Sequence, residues 1–478
     1  MKAFNEQLEQ GVILLKVLKS APALKELSGA AVEENFVSKV QACAVIFDFS
    51  NDNSKLLEEK DIKRKLLLEL IQFLDVQTVP QNQRQYVMTE RVVKDVVQTV
   101  SINIFRTPKV QVTFTGKIGE EGFDKSSLAA TSGGGSSIGG SDPDEEQIFL
   151  EESWPHIQVI YELLLRIIIQ PQLDVRVLKN HITQDFIQKL ISQFKSPDPR
   201  ERDYLKTILH RVYGKFMIHR SLIRRSLTAQ LSKLTYNDEQ EDHFGHSEFL
   251  ELLSSIISGF AVPLKGEHRV TIFDKCLLPL HRANHNAHFH QQLVQCIMTY
   301  MDKDQSVANS IITEMLKYWP VTNPGKEILF LNEIEEVLDM TYPEMLIQDT
   351  TLAIRLAQRL NRCIMSEQYQ VAERALLLWN NERVKQIIGV HEIKEQIYHI
   401  LIEGLITNAQ SHWNSLVQGL TFYLMKLLVD QDAELFDKAA EYFQKKNTLS
   451  KQLRAKQDAK WRMLEHKATL KEYSKYVK

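Results

Sequence analysis

Apolar residues recur at steps of three and four positions along most of the chain, which is the spacing of one face of an α-helix. Seven segments show this pattern clearly: Leu66–Leu74, Val92–Phe105, Trp154–Ile169, Phe249–Phe260, Leu293–Met301, Ile328–Leu338 and Ile354–Cys363. The alternation that marks a half-buried strand is convincing nowhere, and its best candidate is the short run "VQVTF" at 110–114. The pattern predicts an all-α protein.

Signals that open helices recur at nearly regular intervals in the second half of the chain. They stand near Asp198, His246, Ala287, Pro324, Ser366 and Ser411, at intervals of 37 to 48 residues. Each interval holds two helices and two turns, which is about the length of a HEAT or armadillo repeat. Because one helix pair cannot bury its apolar face alone, such pairs stack into one continuous core. We expect a curved α-solenoid of HEAT-like helical repeats, a fold that more often binds than catalyses.

The helical pattern stops between about residues 107 and 145, and this region closes with "TSGGGSSIGGSDPDEE" at 131–146. Gly and Ser give the backbone freedom and offer nothing to bury, so we expect a flexible insert. It is either a tolerated surface insertion, since long loops are entropically cheap, or a phosphorylatable, partner-binding loop. The predicted solenoid spans 36–460, after an N-terminal extension at 1–35 and before a basic C-terminal tail at 461–478.

Composition limits where the chain works and what it binds. Its 478 residues carry a net charge of −3, so no global field attracts nucleic acid or membranes. The cysteines, at 43, 276, 296 and 363, are too far apart for a CxxC pair and suggest a reducing compartment. The longest apolar run, 159–169, contains Glu162 and Arg166 and is too short to cross a bilayer. Acidic residues interrupt the N-terminus where a signal peptide would be basic. We expect a cytoplasmic or nuclear protein without a membrane span.

The stretch "DPRERDYLKTILHRVYGKF", from residue 198 to 216, combines helix signals with polar chemistry. Asp198 is a good N-cap and Pro199 suits the first helical position, while Glu201 completes the spacing of a capping box. One apolar face follows at steps of four, three and four residues: Leu205, Leu209, Val212 and Phe216. We expect this face to pack on a neighbouring helix.

A second stripe on the same helix carries hydrogen-bond donors. It consists of Lys206, His210 and Tyr213, with Arg211 about 100° farther round and Arg220 beyond a turn expected near 217–220. The stripe is either a solvated charged face or a surface for an anionic partner. The lack of interspersed acids favours an anionic partner carrying carboxylate or phosphate. Nucleic acid needs a longer basic track, and catalysis needs a carboxylate or nucleophile suitably spaced from His210.

Two other clusters contain residue types that can form a site. "HRANHNAHFH" holds His281, His285, His288 and His290, a spacing that suits a metal such as Zn²⁺. No cysteine or carboxylate lies inside that cluster, so loop and capping histidines are the favoured interpretation. The run "NEIEEVLD" holds Glu333, Glu335, Glu336 and Asp339, and we expect a solvated or partner-facing acidic surface. No phosphate loop or dinucleotide fingerprint is present, and we expect no metal, no other cofactor and no catalytic residue.

Blocks along the chain resemble one known family in the same order. They are "FDFS" (47–50), "NIFRT" (103–107), "WPHIQVIYE" (154–162), the stretch from 198 to 216, "SSIISGFAVPLK" (254–265), "LLPLH" (277–281), "LKYWP" (316–320), "KEILFLNEIEEVLD" (326–339), "VAERALLLWNNE" (371–382) and "HWN" (412–414). The family is that of the B-prime (B56-type) regulatory subunits of protein phosphatase 2A, and the resemblance runs from about Phe36 to Trp461.

The resemblance implies a substrate-specifying subunit that docks on the scaffold and catalytic subunits of the phosphatase and leaves hydrolysis to the latter. It also implies a groove that binds acidic or phosphorylated linear motifs of the form Leu-x-x-Ile-x-Glu in substrate proteins. The matching positions are Lys206, His210, Arg211, Tyr213 and Arg220 on one side and Leu252, Ile256, Lys265 and His268 on the other. Leu252 stands where the family often has Ile, a volume-conserving change. The alternative is an α-solenoid adaptor or scaffold that does not bind the phosphatase.

Overall fold

The computed structural model describes residues 2–49, 56–75, 85–106, 150–236, 244–284, 286–342, 349–388 and 390–476. Within these ranges the regular elements are α-helices, short 3-10 turns and one π-helical stretch, which confirms the all-α prediction. All seven predicted segments lie in helices except for the C-terminal residues Phe105, Gly259 and Phe260, which fall just outside. The candidate strand at 110–114 and the predicted insert lie outside the described residues.

The chain divides into two compact units, and the first comprises residues 1–231 and 239–252. Its helices are α1 (Lys2–Leu18), α2 (Ala30–Ala42), α3 (Leu57–Leu74), α4 (Glu90–Ile104), α5 (Trp154–Ile169), α6 (Val175–His181), α7 (Gln184–Ser192) and α8 (Pro199–Lys215), and α9 (Arg220–Tyr236) and α10 (His246–Ser258) begin in it. Helix α3 packs on α5 and α5 on α8, while α2 packs on α4 and α4 on α6. Contacts between helices two or three places apart form two layers around one apolar core.

The second unit comprises residues 232–238 and 253–478. After α11 (Gly266–His268) and a π-helix (Arg269–Leu277) come α12 (His290–Lys303), α13 (Ala308–Lys317), α14 (Pro324–Met340), α15 (Thr350–Ile364), α16 (Tyr369–Leu378), α17 (Glu382–Ile388), α18 (His391–Ser411), α19 (Ser415–Gln431) and α20 (Ala433–Tyr476). One layer follows α12, α14, α16 and α19, and the other follows α13, α15, α18 and α20. This unit is a helical-repeat array like those that bury a core by stacking.

The predicted repeat openings fall close to observed helix starts. Helices α8, α10 and α14 begin within one residue of Asp198, His246 and Pro324, whereas α12, α16 and α19 begin three or four residues after their signals. The domain boundaries at 36 and 461 stay predictions, and α2 runs across the first and α20 across the second. In the described part of the chain, no helix combines the length and apolar character that crossing a membrane requires.

The two described ends that flank residues 107–149 are joined directly. An Nη2 of Arg106, which follows α4, lies 3.2 Å from an Oε2 of Glu151, which precedes α5. The backbone amide of Glu151 also donates to the N-cap carboxylate of Asp198 at 2.9 Å. The two described ends on either side of residues 107–149 are therefore anchored to each other and to the start of α8.

Replacing residues 107–149 by a linker of about six Gly and Ser residues is expected to leave the fold intact and to raise its stability slightly. The replacement halves the length of this segment roughly three times. Each halving lowers the entropic cost of closing the segment by about 0.6 kcal/mol. The gain in the free energy of unfolding is thus at most about 2 kcal/mol. Urea unfolding followed by circular dichroism measures it, and a loss of stability would show that the segment is not merely a tolerated insertion.

Candidate functional site

Helix α8 begins as its sequence predicts, with Asp198 as the N-cap and Pro199 at the first helical position. An Oδ1 of Asp198 accepts the backbone amide of Arg200 at 2.9 Å, and the Arg200 guanidinium closes over the same carboxylate at 2.7 Å. Burial alone would raise the pKa of Asp198, but these bonds outweigh it and hold the pKa below its usual range. The Asp198 side chain is therefore ionised, and in this form it caps the start of α8.

The capping box expected at Glu201 is wrong. The Glu201 side chain is buried and turns away from the helix start. Its Oε1 accepts the Tyr161 hydroxyl at 2.8 Å and an Arg106 Nη1 at 2.9 Å, and its Oε2 accepts the Ser196 hydroxyl at 2.6 Å. These partners lie on α5, just after the end of α4 and just before α8, so the carboxylate positions α8 against the core of the first unit.

The apolar face of α8 is confirmed. Leu205, Leu209, Val212 and Phe216 are all almost completely inaccessible to solvent, and Ile208 joins them. Because this face is buried, the donor stripe beside it is held in one orientation relative to the scaffold. The predicted turn is also present, as a 3-10 turn at Met217–His219 before α9.

Lys206 departs from the expectation that the stripe lacks acceptors. Its Nζ lies 2.7 Å from an Oε2 of Glu251 on α10 and 3.0 Å from an Oδ1 of Asp203 one turn earlier. Burial lowers the pKa of Lys206, but the two carboxylates outweigh that effect and leave the pKa above its ordinary value. This ammonium group is therefore already neutralised within the first unit.

Arg220 is the first residue of α9 and is held by the end of α8. Its Nε donates to the Tyr213 carbonyl at 3.0 Å, its Nη2 donates to the Gly214 carbonyl at 3.2 Å, and its guanidinium lies over the Tyr213 ring at 5.3 Å. Sequence reasoning missed Arg224, whose Nη1 donates to the Tyr213 hydroxyl at 3.0 Å. Its position four residues after Arg220, on the same face of a helix, is the signal that would have found it.

His210 and Arg211 are exposed and lie at the rim of an open cleft of about 390 Å³ within the first unit. Aliphatic residues after the end of α5, among them Pro171 and Val175, line the opposite side. Lys215 also lines the cleft, and its Nζ donates to the backbone carbonyls of Ile168 and Gln170 at 2.6 and 3.0 Å. Burial lowers the pKa of Lys215. The cleft therefore combines cationic groups with an apolar wall.

The remaining predicted residues differ in how exposed they are and in what they contact. Leu252 and Ile256 are four residues apart on α10, hence on one helical face, and both are nearly buried. Lys265, directly before α11, is exposed. His268 at the end of α11 stacks on the Phe260 ring with a centroid distance of 4.2 Å. Lys265 and His268 belong to the second unit, as does Ile256.

The histidine cluster at 281–290 and the acidic run at 333–339 meet in the second unit. Glu333 accepts from His281 Nε2 at 2.8 Å and lies 3.0 Å from His290 Nε2, and all three side chains are buried. A solvated position for Glu333 is therefore wrong. His285 lies outside the described residues, and the described side chains contain no group of three or more His, Cys, Asp and Glu arranged to hold a metal ion.

These features define a class of protein: a helical-repeat scaffold that presents fixed hydrogen-bond donors at its surface. Such scaffolds are extended binding surfaces.

Comparison with known proteins identifies the family. The family described as "Protein phosphatase 2A regulatory B subunit (B56 family)" matches residues 21–468. The B' theta isoform of the 57 kDa regulatory subunit of serine/threonine protein phosphatase 2A from Arabidopsis thaliana is 40% identical over 95% of this chain and 85% of its own length. The B' eta isoform of the 59 kDa subunit from the same plant is 39% identical over 94% of this chain and 81% of its own length.

A mammalian relative is similar over the same extent. The delta isoform of the 56 kDa regulatory subunit from Oryctolagus cuniculus is 34% identical over 95% of this chain and 71% of its own length. The chain belongs to the B56 family of regulatory B subunits of protein phosphatase 2A. Its role is accordingly regulatory and not catalytic, as the sequence predicted.

Proposed function

We propose that this chain is the substrate-specifying subunit of protein phosphatase 2A in the cytoplasm or nucleus. It docks on the scaffold and catalytic subunits and recruits substrates through acidic or phosphorylated linear motifs of the Leu-x-x-Ile-x-Glu type. Family membership supports the first part, since the relatives are named regulatory subunits of this phosphatase. Hydrolysis belongs to the catalytic subunit.

The fixed donors at the junction of α8 and α9 are the observation that carries motif recruitment. The two backbone carbonyls that hold Arg220 engage its Nε and Nη2, and neither bond uses its Nη1 group. The Tyr213 hydroxyl is also held in place, because it accepts a hydrogen bond from Arg224. Donors that are already positioned lose little entropy when they bind a carboxylate. Each charge-assisted hydrogen bond to the motif glutamate then contributes about 1.5–3 kcal/mol.

The structure ranks the other predicted contacts. Lys206 contributes least among the cations, because Glu251 and Asp203 already neutralise it. Arg211 is exposed beside the 390 Å³ cleft and is well placed to meet an acidic or phosphorylated residue that flanks the motif. Leu252 and Ile256 expose little surface, so each offers only a small apolar contact to the motif Leu and Ile.

A fluorescent Leu-x-x-Ile-x-Glu peptide is expected to bind the purified chain with micromolar affinity, about −8 kcal/mol. Replacing the motif glutamate by Ala removes the partner of the fixed donors and should weaken binding at least tenfold.

Arg211→Glu should weaken binding of a peptide with acidic flanks by a similar factor. Arg220→Glu is the harsher variant, because it also places a carboxylate beside two backbone carbonyls and lowers stability. Fluorescence anisotropy measures all of these affinities.

Arg91→Glu on α4 is the matched control, since Arg91 is exposed in the same unit and the charge change is equal. It should leave the affinity within about twofold of the parent. Equal binding of the motif peptide and its Ala-substituted form would defeat the motif assignment. Separately, failure of the folded chain to co-purify with the scaffold and catalytic subunits would favour an adaptor that does not bind the phosphatase.

A further inference from the structure

Three arginines share one face of α15 in the second unit. Arg355, Arg359 and Arg362 follow one another at steps of four and three residues, which places them side by side along the helix. The neighbouring face of α15 is apolar and buried, with Leu352, Leu356 and Leu360 among its members. The core therefore fixes the rotation of the helix, and the arginine face points away from it.

These arginines surround an open cavity of about 170 Å³. Gln358 of the same helix and Leu316 of α13 are the other described residues of its lining. The volume is several times the roughly 30 Å³ that one water molecule occupies in the liquid, so the cavity has room for a phosphate group. Four of the five lining residues that the structure describes carry hydrogen-bond donors.

No ion pair joins Arg355, Arg359 or Arg362 to a carboxylate in the described part of the chain, and none has a further polar partner there. The contrast with neighbouring arginines is clear. The paired arginines of the same unit are bound to acids at their side: Arg269 to Asp274 at 3.2 Å, Arg282 to Glu314 and Arg374 to Glu335. The α15 cluster thus has donors and positive charge in excess of its own acceptors.

Two described acids that interact electrostatically with the cluster, Asp349 and Glu327, are already occupied by other groups. Asp349 accepts the Thr351 hydroxyl and the Leu352 amide, which lower its pKa, and Arg355 adds only a weaker effect. Glu327 accepts the Trp319 indole N–H at 2.6 Å, and burial raises its pKa despite the nearby Arg359. Neither carboxylate is within ion-pair distance of an arginine in the cluster.

Arg359 is also held in place by a ring. Its guanidinium carbon lies 5.6 Å from the centroid of Trp319, a buried side chain. Such a cation–π contact positions the guanidinium plane and leaves its N–H groups available for an anion. The central arginine of the cluster is therefore preorganised.

We propose that this cavity binds a phosphate dianion presented by a phosphorylated side chain of a protein partner. Guanidinium groups match phosphate oxygens in pairs, and three of them around one cavity can engage several oxygens at once. The cavity is open to solvent, which suits a group carried on an extended chain. A single carboxylate has fewer oxygens and less charge than the cluster can use.

A purely structural role makes a different prediction. Helix α13 ends at Lys317, directly after Leu316, and cations near a helix C-terminus are favourable. If the arginines only stabilised that helix end, their loss would lower the melting temperature and leave phosphate binding unchanged.

The test uses the full chain and a labelled peptide with one central phosphoserine flanked by Gly and Ala, which lacks the Leu-x-x-Ile-x-Glu motif. Anisotropy should show saturable binding that disappears for the unphosphorylated peptide. The double substitution Arg355→Gln and Arg362→Gln, at two exposed positions, should weaken binding at least tenfold. The charge-matched control, Arg91→Gln with Arg176→Gln at exposed positions in the first unit, should stay within twofold.

Inorganic phosphate serves as the competitor at constant ionic strength. It should displace the peptide only at concentrations well above the peptide's own dissociation constant. Competition at an equal concentration would assign the cavity to free phosphate and overturn the proposal. No binding by the parent chain up to millimolar peptide, or equal weakening by both double variants, would also overturn it. A lower melting temperature without a change in affinity would assign the arginines to helix α13.

Discussion

Glu333→Gln is expected to lower the free energy of unfolding by about 3–5 kcal/mol, the range seen when one partner of a buried ion pair is removed. His281 has only acceptors around its ring, because Nδ1 faces the Leu278 carbonyl and Nε2 faces Glu333, both at 2.8 Å. These contacts favour protons on both ring nitrogens, which is the imidazolium form of His281. Burial alone would lower the pKa of His281, but Glu333 outweighs it and raises the pKa above 6.5.

The substitution removes the counter-ion of that buried imidazolium and turns an amide N–H₂ toward one of the two histidines. Glu333 itself is ionised, since the two imidazoles hold its pKa at about 2 despite burial, which would raise it. Urea unfolding at pH 6 measures the loss. Glu336→Gln on the exposed side of the same helix is the control and should change stability by less than about 0.5 kcal/mol.

The pH dependence of this cluster follows from the directions of the two pKa shifts. The Glu333 carboxylate stabilises the fold above pH 4.5, and its contribution falls as the pH drops toward 2. The His281 imidazolium stabilises the fold below pH 6.5, and its contribution falls as the pH rises through its raised folded pKa. The difference in stability between the parent and Glu333→Gln should therefore be largest between these limits. A difference that stays constant from pH 3 to 9 would contradict the ion-pair assignment.

Glu201→Gln is expected to have the second large effect, a loss of about 3 kcal/mol in the free energy of unfolding. The carboxylate accepts hydrogen bonds from Arg106, Tyr161 and Ser196, and it lies almost wholly out of solvent. An amide at this position supplies two donors where only acceptors are needed. It also leaves Arg106 with Glu151 alone as its counter-ion.

The control for this variant lies on the same helix. Asp203→Asn removes an exposed carboxylate that pairs with Lys206 at 3.0 Å, and surface pairs of this kind contribute about 0–1 kcal/mol. Tyr161→Phe combined with Glu201→Gln completes a double-mutant cycle, and a coupling energy above about 0.5 kcal/mol would confirm the network. Equal effects of Glu201→Gln and Asp203→Asn would show that the buried network does not anchor α8.

The roles predicted from sequence for Glu201 and Glu333 are wrong for the same reason. Each stands in a run whose local spacing has an ordinary explanation, a capping box for Glu201 and a solvated acidic face for Glu333. Their actual partners, Tyr161 and His281, lie 40 and 52 residues away in the chain. Spacing within one helix carries no information about a hydrogen bond to another helix.

The sequence likewise predicted some features of the candidate site and not others. The local pattern correctly predicted the cap at Asp198, the buried face from Leu205 to Phe216 and the turn before Arg220. It did not predict that Glu251 neutralises Lys206 or that Arg224 holds Tyr213. The assignment of the nine motif-binding residues stays a prediction, and the peptide titration tests it.

The sequence by itself determined the all-α class, the positions of the helices and the family, because helical periodicity, caps and ordered blocks are written in neighbouring residues. Tertiary structure decided which charges are paired, which are buried and which remain available. It joined Arg106 to Glu151 and Glu201, enclosed Glu333 between two histidines, and, among the described residues, left the three arginines of α15 beyond ion-pair distance of any carboxylate. Ionisation and hydrogen bonding depend on distance and solvent in three dimensions, and only the packed helices set both.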